Sequence, residues 1–303
     1  MSVLELIERG GPRVVEHADL GARTTYRVGG SVRVLVTLAT RADLEELGPS
    51  IFSSATPTLI IGNGSNLLVA DGEHEIIAVH LIGEFESLEW HDEHGAVIVE
   101  AGAGLDLPVA ARRLAGAGLV GFEWAVGVPW TFGGAVSINA GGHGSDMAAS
   151  VTLVRTYGPG GARVWKREDL NFGYRTSALA WPEIATDVTL RLAHGDATSA
   201  LGTIKQIVRW RRENQPGGQN GGSVFRNPEG DFAGRLIEAS GCKGLRHASA
   251  VVSDKHANFI LVDPGGSAND VYALIDTVRE RVRETSGVDL VSEHRFVGFE
   301  QVR

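Results

Sequence analysis

Two segments have the spacing of apolar residues that is typical of amphipathic helices. Residues 199–213 place Leu201, Ile204 and Val208 on one face, which we expect to be buried. A longer helix is expected to begin after the capping residue Ser267 and to end at Gly287. The apolar stripe of this longer helix consists of Val271, Leu274, Ile275, Val278 and Val282.

Shorter apolar runs predict strands, separated by further short helices. A capping box of Thr40 and Asp43 predicts a helix with Leu44 and Leu47 turned inward, and further helices are expected at 108–115 and 231–240. The predicted strands are 32–38, 58–61, 75–81, 86–92, 96–101, 151–157, 184–192, 258–262 and 295–299. This arrangement predicts an α+β fold with a meandering central sheet, because strands and helices do not alternate as in a doubly wound fold.

The strand at 58–61 runs directly into the turn Gly62-Asn63-Gly64-Ser65-Asn66. Glycines allow backbone N–H groups to point at an anion, so the turn is a candidate phosphate-binding turn. It is not a dinucleotide-binding fingerprint, since Leu67 occupies the place of the third glycine and no helix follows. A plain hairpin turn is the alternative.

Glycines are concentrated between Gly121 and Gly144, in a stretch without charged residues between Glu123 and Asp146. Glycine loses more backbone freedom on folding than other residues, so a packed helix or strand gains nothing from this density. The stretch predicts backbone that lies close against a ligand. A tight loop with small-residue packing is the alternative.

Composition and charge exclude several classes of protein. The chain has 303 residues, 43% hydrophobic and 21% charged, which is ordinary for a folded protein of two or three domains. Its net charge of −9 argues against a general nucleic-acid binder. The single cysteine, Cys242, excludes an intramolecular disulfide framework, and the histidines have no metal-ligand spacing, so we expect no metal. We also expect no signal peptide and no membrane span.

Three residues combine reactive side chains with unusual neighbours. Ser223 follows two glycines, and Arg175 next to Tyr174 could bind a carboxylate or phosphate through two N–H groups. Glu293 precedes an apolar segment and could be an acid whose pKa is raised by burial. The alternatives are a turn serine, a surface arginine and a solvated glutamate.

A series of short motifs, in order along nearly the whole chain, carries a resemblance. The motifs are RVGG at 27–30, GNGSNLL at 62–68, GVP at 127–129 with Thr131 and Gly133-Gly134, NAG at 139–141, FGYRTS at 172–177, GSVF at 222–225 with Asn227-Pro228, AGRLIE at 233–238, SDKHANF at 253–259 and EHRF at 293–296. Together they resemble the UDP-N-acetylenolpyruvoylglucosamine reductase (MurB) family, in particular its subgroup without a tyrosine-bearing loop.

The resemblance implies an FAD-binding fold of the vanillyl-alcohol oxidase type with two subdomains, plus a separate α+β substrate-binding domain. We expect the first subdomain at 1–80, the second at 81–202 and the substrate-binding domain at 203–289. The segment 290–303 is expected to return to the FAD-binding part as a strand. Trp130 departs from the family pattern, in which glycine is usual, and this could alter flavin packing.

The resemblance also assigns roles to residues. It implies that Ser223 protonates C2 of the substrate, that Arg175 and Glu293 face the enolpyruvyl carboxylate, and that Asn227 helps to hold the uridine diphosphate. The residues expected to bind FAD are Tyr26, Gly62, Asn63, Gly64, Ser65, Asn66, Leu67, Gly127, Val128, Pro129, Thr131, Gly133, Gly134, Asn139 and Arg212.

The implied activity is the NADPH-dependent reduction of UDP-N-acetylglucosamine enolpyruvate to UDP-N-acetylmuramate for peptidoglycan synthesis. Hydride would pass from reduced flavin to C3, because no amino-acid side chain donates hydride. We expect a cytoplasmic monomer. The rival functions are a flavin oxidase of the same fold and a non-catalytic nucleotide-sugar binder.

Overall fold

The computed structural model describes residues 3–299 of the chain. Its α-helices within this range are α1 Val3–Gly10, α2 Arg41–Ser53, α3 Leu107–Gly116, α4 Phe132–Ser137, α5 Ala197–Asn214, α6 Ala233–Ala239 and α7 Ala268–Ser286. The strands are β1 Val14–Asp19, β2 Ser31–Leu38, β3 Thr58–Ile61, β4 Leu67–Val69, β5 Glu73–Leu81, β6 Leu88–Glu93, β7 Ala96–Gly102, β8 Leu119–Val120, β9 Gly141–Gly142, β10 Ser145–Asp146, β11 Val151–Gly158, β12 Gly161–Lys166, β13 Ile184–His194, β14 Gln219–Ser223, β15 Arg246–His247, β16 Ala250–Val252, β17 Phe259–Val262 and β18 Arg295–Val297.

The described chain forms two compact units. The first unit extends to Glu16 and then includes Val34–Asn63 and Glu75–Arg211. The second unit consists of His17–Arg33, Gly64–His74 and the chain from Arg212 onward. The division expected from the sequence, with boundaries at residues 80, 202 and 289, stays a prediction.

An antiparallel sheet forms the centre of the first unit, in the order β12-β11-β13-β7-β6, with β8 also pairing with β13. Side chains of this sheet, of α3 and of the glycine-rich stretch pack into one apolar cluster that includes Val99, Leu114, Phe132 and Leu190. A four-stranded sheet has the order β1-β2-β5-β3, in which β3 and β5 are parallel.

The second unit is built on an antiparallel sheet in the order β14-β17-β16-β15. Helix α7 contacts α6 and the strands β15, β16 and β17 of this sheet. The last strand, β18, pairs in parallel with β4. Apolar side chains from both ends of the chain, among them Tyr26, Leu68 and Val278, therefore share one buried cluster.

The capping residues that local sequence predicts for α2 and α7 are confirmed. Asp43 N donates to Thr40 Oγ1 at 3.1 Å, and Thr40 N donates to Asp43 Oδ2 at 2.9 Å, which completes the capping box of α2. Ser267 caps α7, and Gly287 ends it in the left-handed conformation. The five predicted stripe residues of α7 are buried.

The apolar face predicted for α5 is correct at Ile204 and wrong at Leu201 and Val208. Leu201 and Val208 are 36% and 42% exposed, whereas Ala200, Ile204 and Ile207 are buried. The apolar residues of this helix allow two overlapping stripes, and packing against the rest of the unit selects the one with Ala200 and Ile207. Helix α6 is also shorter than predicted, since it begins at Ala233.

The hairpin alternative for Gly62–Asn66 is excluded, since β3 pairs with β5 whereas β4 pairs with β18. The glycine-rich stretch also contains a regular helix, α4, where we expected none. Among residues 3–299, no helix has both the length and the apolar character needed to cross a membrane.

Candidate functional site

The turn after β3 is held against the glycine-rich stretch of the first unit. Asn63 Nδ2 donates to Asp106 Oδ1 at 2.6 Å and to the carbonyl oxygen of Pro129 at 3.5 Å. A Cβ on Gly62 would lie 2.4 Å from Thr131 Oγ1, so only glycine fits at this position. Two predicted cofactor-binding segments are therefore adjacent.

The second half of the same turn has unpaired donors. Gly64 has a φ of +60° and its carbonyl accepts from Thr25 N at 3.3 Å. Among residues 3–299, no acceptor receives a hydrogen bond from the backbone N–H groups of Gly64, Ser65 and Asn66. The buried Thr25 Oγ1 also lacks a partner within this part of the chain. Such donors fit an anionic group like the pyrophosphate of FAD.

The predicted cofactor-binding residue Thr131 directly precedes helix α4 and caps it. The Thr131 hydroxyl accepts from Gly134 N at 3.5 Å, and Gly133 N donates to the carbonyl oxygen of Ala103 at 2.8 Å. A Cβ on Gly133 would lie 3.2 Å from that same carbonyl oxygen. Trp130 is half-buried and packs against the core of the first unit, which shows how the chain accommodates it.

Asn139 connects the glycine-rich stretch to the turn that carries Arg175. Asn139 is 3% exposed, and its Nδ2 donates to Asp146 Oδ2 and to the carbonyl oxygen of Gly173, each at 3.0 Å. Its Oδ1 accepts from Ala148 N at 2.9 Å. The side chain thus takes part in internal bonds that hold the loop, in addition to the cofactor role expected for it.

The turn around Arg175 has a strained backbone. Gly173 and Thr176 exchange main-chain hydrogen bonds across it. Arg175 has a φ of +56°, in the left-handed region that residues other than glycine seldom adopt. Arg175 Nη2 donates to the carbonyl oxygen of Gly141 at 3.1 Å. The guanidinium carbon lies 5.3 Å from the ring centre of Tyr174. These contacts fix the direction of a half-buried cation in the first unit.

Ser223 and Glu293 belong to the second unit, and their backbones are neighbours. The carbonyl oxygen of Val224, the residue after Ser223, accepts from Glu293 N at 2.8 Å. Asn258, 4% exposed, bonds both main-chain groups of Phe225, since its Nδ2 donates to the carbonyl oxygen at 2.8 Å and its Oδ1 accepts from N at 3.0 Å. The strand end that carries Ser223 is therefore clamped on two sides.

A cavity of about 350 Å³ opens beside Ser223 in the second unit. Its polar and aromatic lining includes Ser223, Asn227, Phe232, Arg235, Lys255 and His256. Asn227 Oδ1 accepts from Ala233 N at 3.1 Å, which holds the start of α6 beside Ser223. The cavity therefore combines a hydroxyl with the cationic side chains of Arg235 and Lys255 and with the carboxylate of Glu238, and Arg235 is itself paired with Asp231.

The remaining predicted cofactor-binding residues lie in varied surroundings. Arg212 is exposed at the end of α5, and its carbonyl oxygen accepts from Lys255 Nζ at 2.5 Å. Leu67 and Val128 are buried, so their side chains contribute to packing. Gly127 lies against His143, whose pKa is lowered by burial and by Arg211.

Two residues of this region were missed from the sequence. His294 is 6% exposed and hydrogen-bonded to Tyr26, and Asn258 clamps the Ser223 strand. A lone histidine or asparagine has no diagnostic spacing, and their partners lie far away along the chain. The motifs SDKHANF and EHRF that contain them were the only available signal.

The chain matches two family descriptions. Residues 32–165 match an FAD binding domain, and residues 214–297 match the C-terminal domain of UDP-N-acetylenolpyruvoylglucosamine reductase. Over 288 residues it is 38% identical to the UDP-N-acetylenolpyruvoylglucosamine reductase of Heliobacterium modesticaldum, covering 94% of this chain and 90% of that protein. The chain belongs to the UDP-N-acetylenolpyruvoylglucosamine reductase family.

Further similarities agree with this assignment. The enzyme of the same name from Bacillus subtilis is 34% identical over 300 residues, covering 98% of each chain. The crystal structure of the MurB reductase from Thermus caldophilus has a TM-score of 0.79 and 36% identity, covering 92% of this chain and 97% of that one. The Physcomitrella patens BBE-like 1 protein, 13% identical with a TM-score of 0.56, shares the fold.

These findings confirm the family and the fold class predicted from the sequence. They also confirm an oxidoreductase with FAD as its cofactor and NADPH as its reductant. The roles of individual site residues stay predictions.

Proposed function

We propose that this chain catalyses the NADPH-dependent reduction of UDP-N-acetylglucosamine enolpyruvate to UDP-N-acetylmuramate. The main support, besides the family, is the arrangement of Ser223 and Glu293 in the second unit. Their backbones are joined through Val224, and Ser223 lines a cavity with cationic side chains. The monomeric state and the cytoplasmic location expected from the sequence belong to the same proposal, and light scattering on the purified protein tests the former.

In this proposal the turn Gly62–Asn66 and the N-terminus of α4 hold FAD. The free N–H groups of the turn and the Thr25 hydroxyl suit its pyrophosphate, because oriented backbone dipoles favour an anion. When bound and reduced, FAD supplies the hydride that side chains cannot provide. The glycines at 62 and 133 keep the backbone close to its neighbours.

Ser223 acts as the proton donor to C2 of the enolpyruvyl group. Addition of hydride to C3 leaves negative charge on C2 and on the conjugated carboxylate, and this charge is relieved when C2 takes up a proton. The clamps on Val224 and Phe225 hold the backbone next to the residue that carries the hydroxyl, which matters because a general acid must lie within hydrogen-bond reach of the carbon it protonates.

Arg175 and Glu293 face the carboxylate of the substrate in this proposal. A guanidinium with a fixed direction stabilises the charge that develops during the reaction, and such stabilisation lowers the barrier. Glu293 contributes if it is protonated and donates a hydrogen bond. Asn227, beside Ser223 in the cavity wall, contributes to binding of the uridine diphosphate.

The test is the oxidation of NADPH by the purified protein, with and without the enolpyruvyl nucleotide sugar. We expect a yellow protein that consumes NADPH only when this substrate is present, with one UDP-N-acetylmuramate formed per NADPH. Rapid reaction of the reduced flavin with oxygen and no response to substrate would favour the flavin oxidase. A colourless protein that binds the nucleotide sugar without turnover would favour the non-catalytic binder.

A further inference from the structure

A chain of hydrogen bonds runs through the interior of the second unit and ends at Glu293. The Tyr26 hydroxyl oxygen lies 2.9 Å from His294 Nε2, and His294 Nδ1 lies 3.2 Å from Asn66 Oδ1. Asn66 Nδ2 donates to the main-chain carbonyl oxygen of Glu293 at 2.7 Å. Tyr26 and His294 are 0% and 6% exposed, so water does not compete for the bond between them, and Asn66 is half-buried.

Only one arrangement of protons gives every donor and acceptor in this series of hydrogen bonds a partner. The carbonyl oxygen of Glu293 can only accept, so Asn66 must present its NH₂ group there and its Oδ1 to His294. His294 Nδ1 must then carry the proton, and Nε2 must accept from the Tyr26 hydroxyl. The bonds therefore have a single direction, from Tyr26 to the carbonyl of Glu293.

This series of hydrogen bonds requires a neutral imidazole at His294, and the surroundings of His294 favour that form. Burial lowers the pKa of His294 to about 4, because the charged imidazolium would lose its hydration. Burial also raises the pKa of Tyr26, which keeps its hydroxyl protonated as a donor.

The same side chains contact the strand that leads to Ser223. A Cβ on Gly221 would lie 2.5 Å from Tyr26 Cε2 and 2.9 Å from His294 Nε2. Gly221 therefore packs its backbone directly on the two rings, two residues before Ser223. The hydrogen-bond chain thus contacts both the strand of Ser223 and the backbone of Glu293.

We propose that Tyr26, His294 and Asn66 are positioning residues, which fix the backbone of Glu293 relative to the Ser223 strand. The inference rests on the proposed function, and it differs from the cofactor contacts that the family resemblance implies for Tyr26 and Asn66. Their hydroxyl and amide groups act on the reaction through Glu293 and the Ser223 strand.

The test compares the flavin-loaded wild type with Tyr26→Phe and Asn66→Asp. Tyr26→Phe removes only the hydroxyl, and Asn66→Asp replaces the donor that faces the Glu293 carbonyl by an oxygen. Each variant is expected to keep its flavin and its KM for NADPH while kcat falls about tenfold. Tyr272→Phe, which removes a hydroxyl from a ring that packs against Phe296 and Phe299, is the control and keeps full kcat.

A second readout does not depend on turnover. The ¹⁵N shifts of His294, assigned from the resonances lost in His294→Gln, are expected to show a neutral ring protonated at Nδ1. A ring protonated at Nε2 would contradict the direction of the chain. Since this readout works without substrate, an inactive wild type would refute the proposed function while the hydrogen-bond chain is judged separately.

The kinetic outcomes also separate the alternatives. Unchanged kcat in both variants would overturn the positioning role. Loss of flavin with normal kcat per bound flavin would overturn it as well, in favour of cofactor binding. If Tyr26→Phe does not fold, the kcat of Asn66→Asp tests the positioning role by itself, because this replacement keeps the shape of the side chain.

Discussion

The hydroxyl of Tyr26 lies 2.9 Å from Nε2 of His294, although 268 residues separate them along the chain. The bond joins the early segment of the second unit to its last strand region. It also places a titratable ring in the interior, without an opposite charge among its bonded partners Tyr26 and Asn66. Stability and catalysis should therefore both depend on the protonation of this ring.

The stability of the protein should fall on acidification as His294 is forced to accept a proton. The unfolded chain protonates this residue near pH 6.5, whereas the folded protein does so only near pH 4. Between these values the unfolded chain binds more protons, so the free energy of unfolding rises with pH. The free energy of unfolding should therefore fall by on the order of 3 kcal/mol, because of His294 alone, as the pH is lowered from 6.5 to 4.

Denaturant unfolding at several pH values measures this effect. His143 and His256 add effects of the same sign, because burial lowers their pKa too. His294→Gln should therefore show a shallower fall, while the exposed replacement His91→Gln should follow the wild type. If the free energy of unfolding depended on pH equally in His294→Gln and in the wild type, the pH dependence could not be attributed to His294.

Gly221→Ala should destabilise the second unit, because its Cβ would enter the space of Tyr26 and His294. Overpacking of this kind costs about 1–3 kcal/mol. The control is Gly217→Ala, where a Cβ meets no atom within 4 Å. Thermal unfolding of both variants tests the contrast, and equal melting temperatures would mean that the rings have room to move.

Asn258→Asp should destabilise the protein near neutral pH. The new oxygen would face the carbonyl oxygen of Phe225 at the position of the present donor, and a buried unpaired acceptor costs about 1–3 kcal/mol. Protonation of the aspartate restores a donor, so the difference from the wild type should narrow as the pH falls. A pH-independent difference would show that lost packing, and not the hydrogen bond, is responsible.

Arg175→Ala should lose most activity and keep its flavin, since the guanidinium is proposed to bind the substrate carboxylate. Arg175→Lys should have only part of the wild-type activity, because an ammonium group cannot form the paired hydrogen bonds of a guanidinium. Steady-state rates and the flavin absorbance of each variant measure this. A colourless Arg175→Ala would place the residue in flavin binding instead.

Helix caps and turns were predictable from the sequence because their physics is local. Thr40 and Asp43 lie three residues apart, and Ser267 directly precedes its helix. The face of α5 was not predictable, since Leu201 and Val208 form as plausible a stripe as the residues that are buried. That choice depends on neighbours far away along the chain.

In the candidate site, too, some residues could be found from local sequence and others only from contacts that are distant along the chain. Ser223, Arg175 and Glu293 have unusual neighbours in the sequence, and a family resemblance names them together. The roles of Asn258 and His294 arise from contacts with Phe225 and Tyr26, 33 and 268 residues away. No local pattern reports such pairs.

The central claim is that Ser223 donates the proton in a flavin-dependent reduction, and the kcat of Ser223→Ala tests it most directly. We expect kcat to fall at least about tenfold, and by up to about 10²–10⁴ for a well-placed general acid, while the protein stays yellow. Ser223→Cys, which retains a weak donor, should recover part of the rate. Full activity in Ser223→Ala would contradict the account.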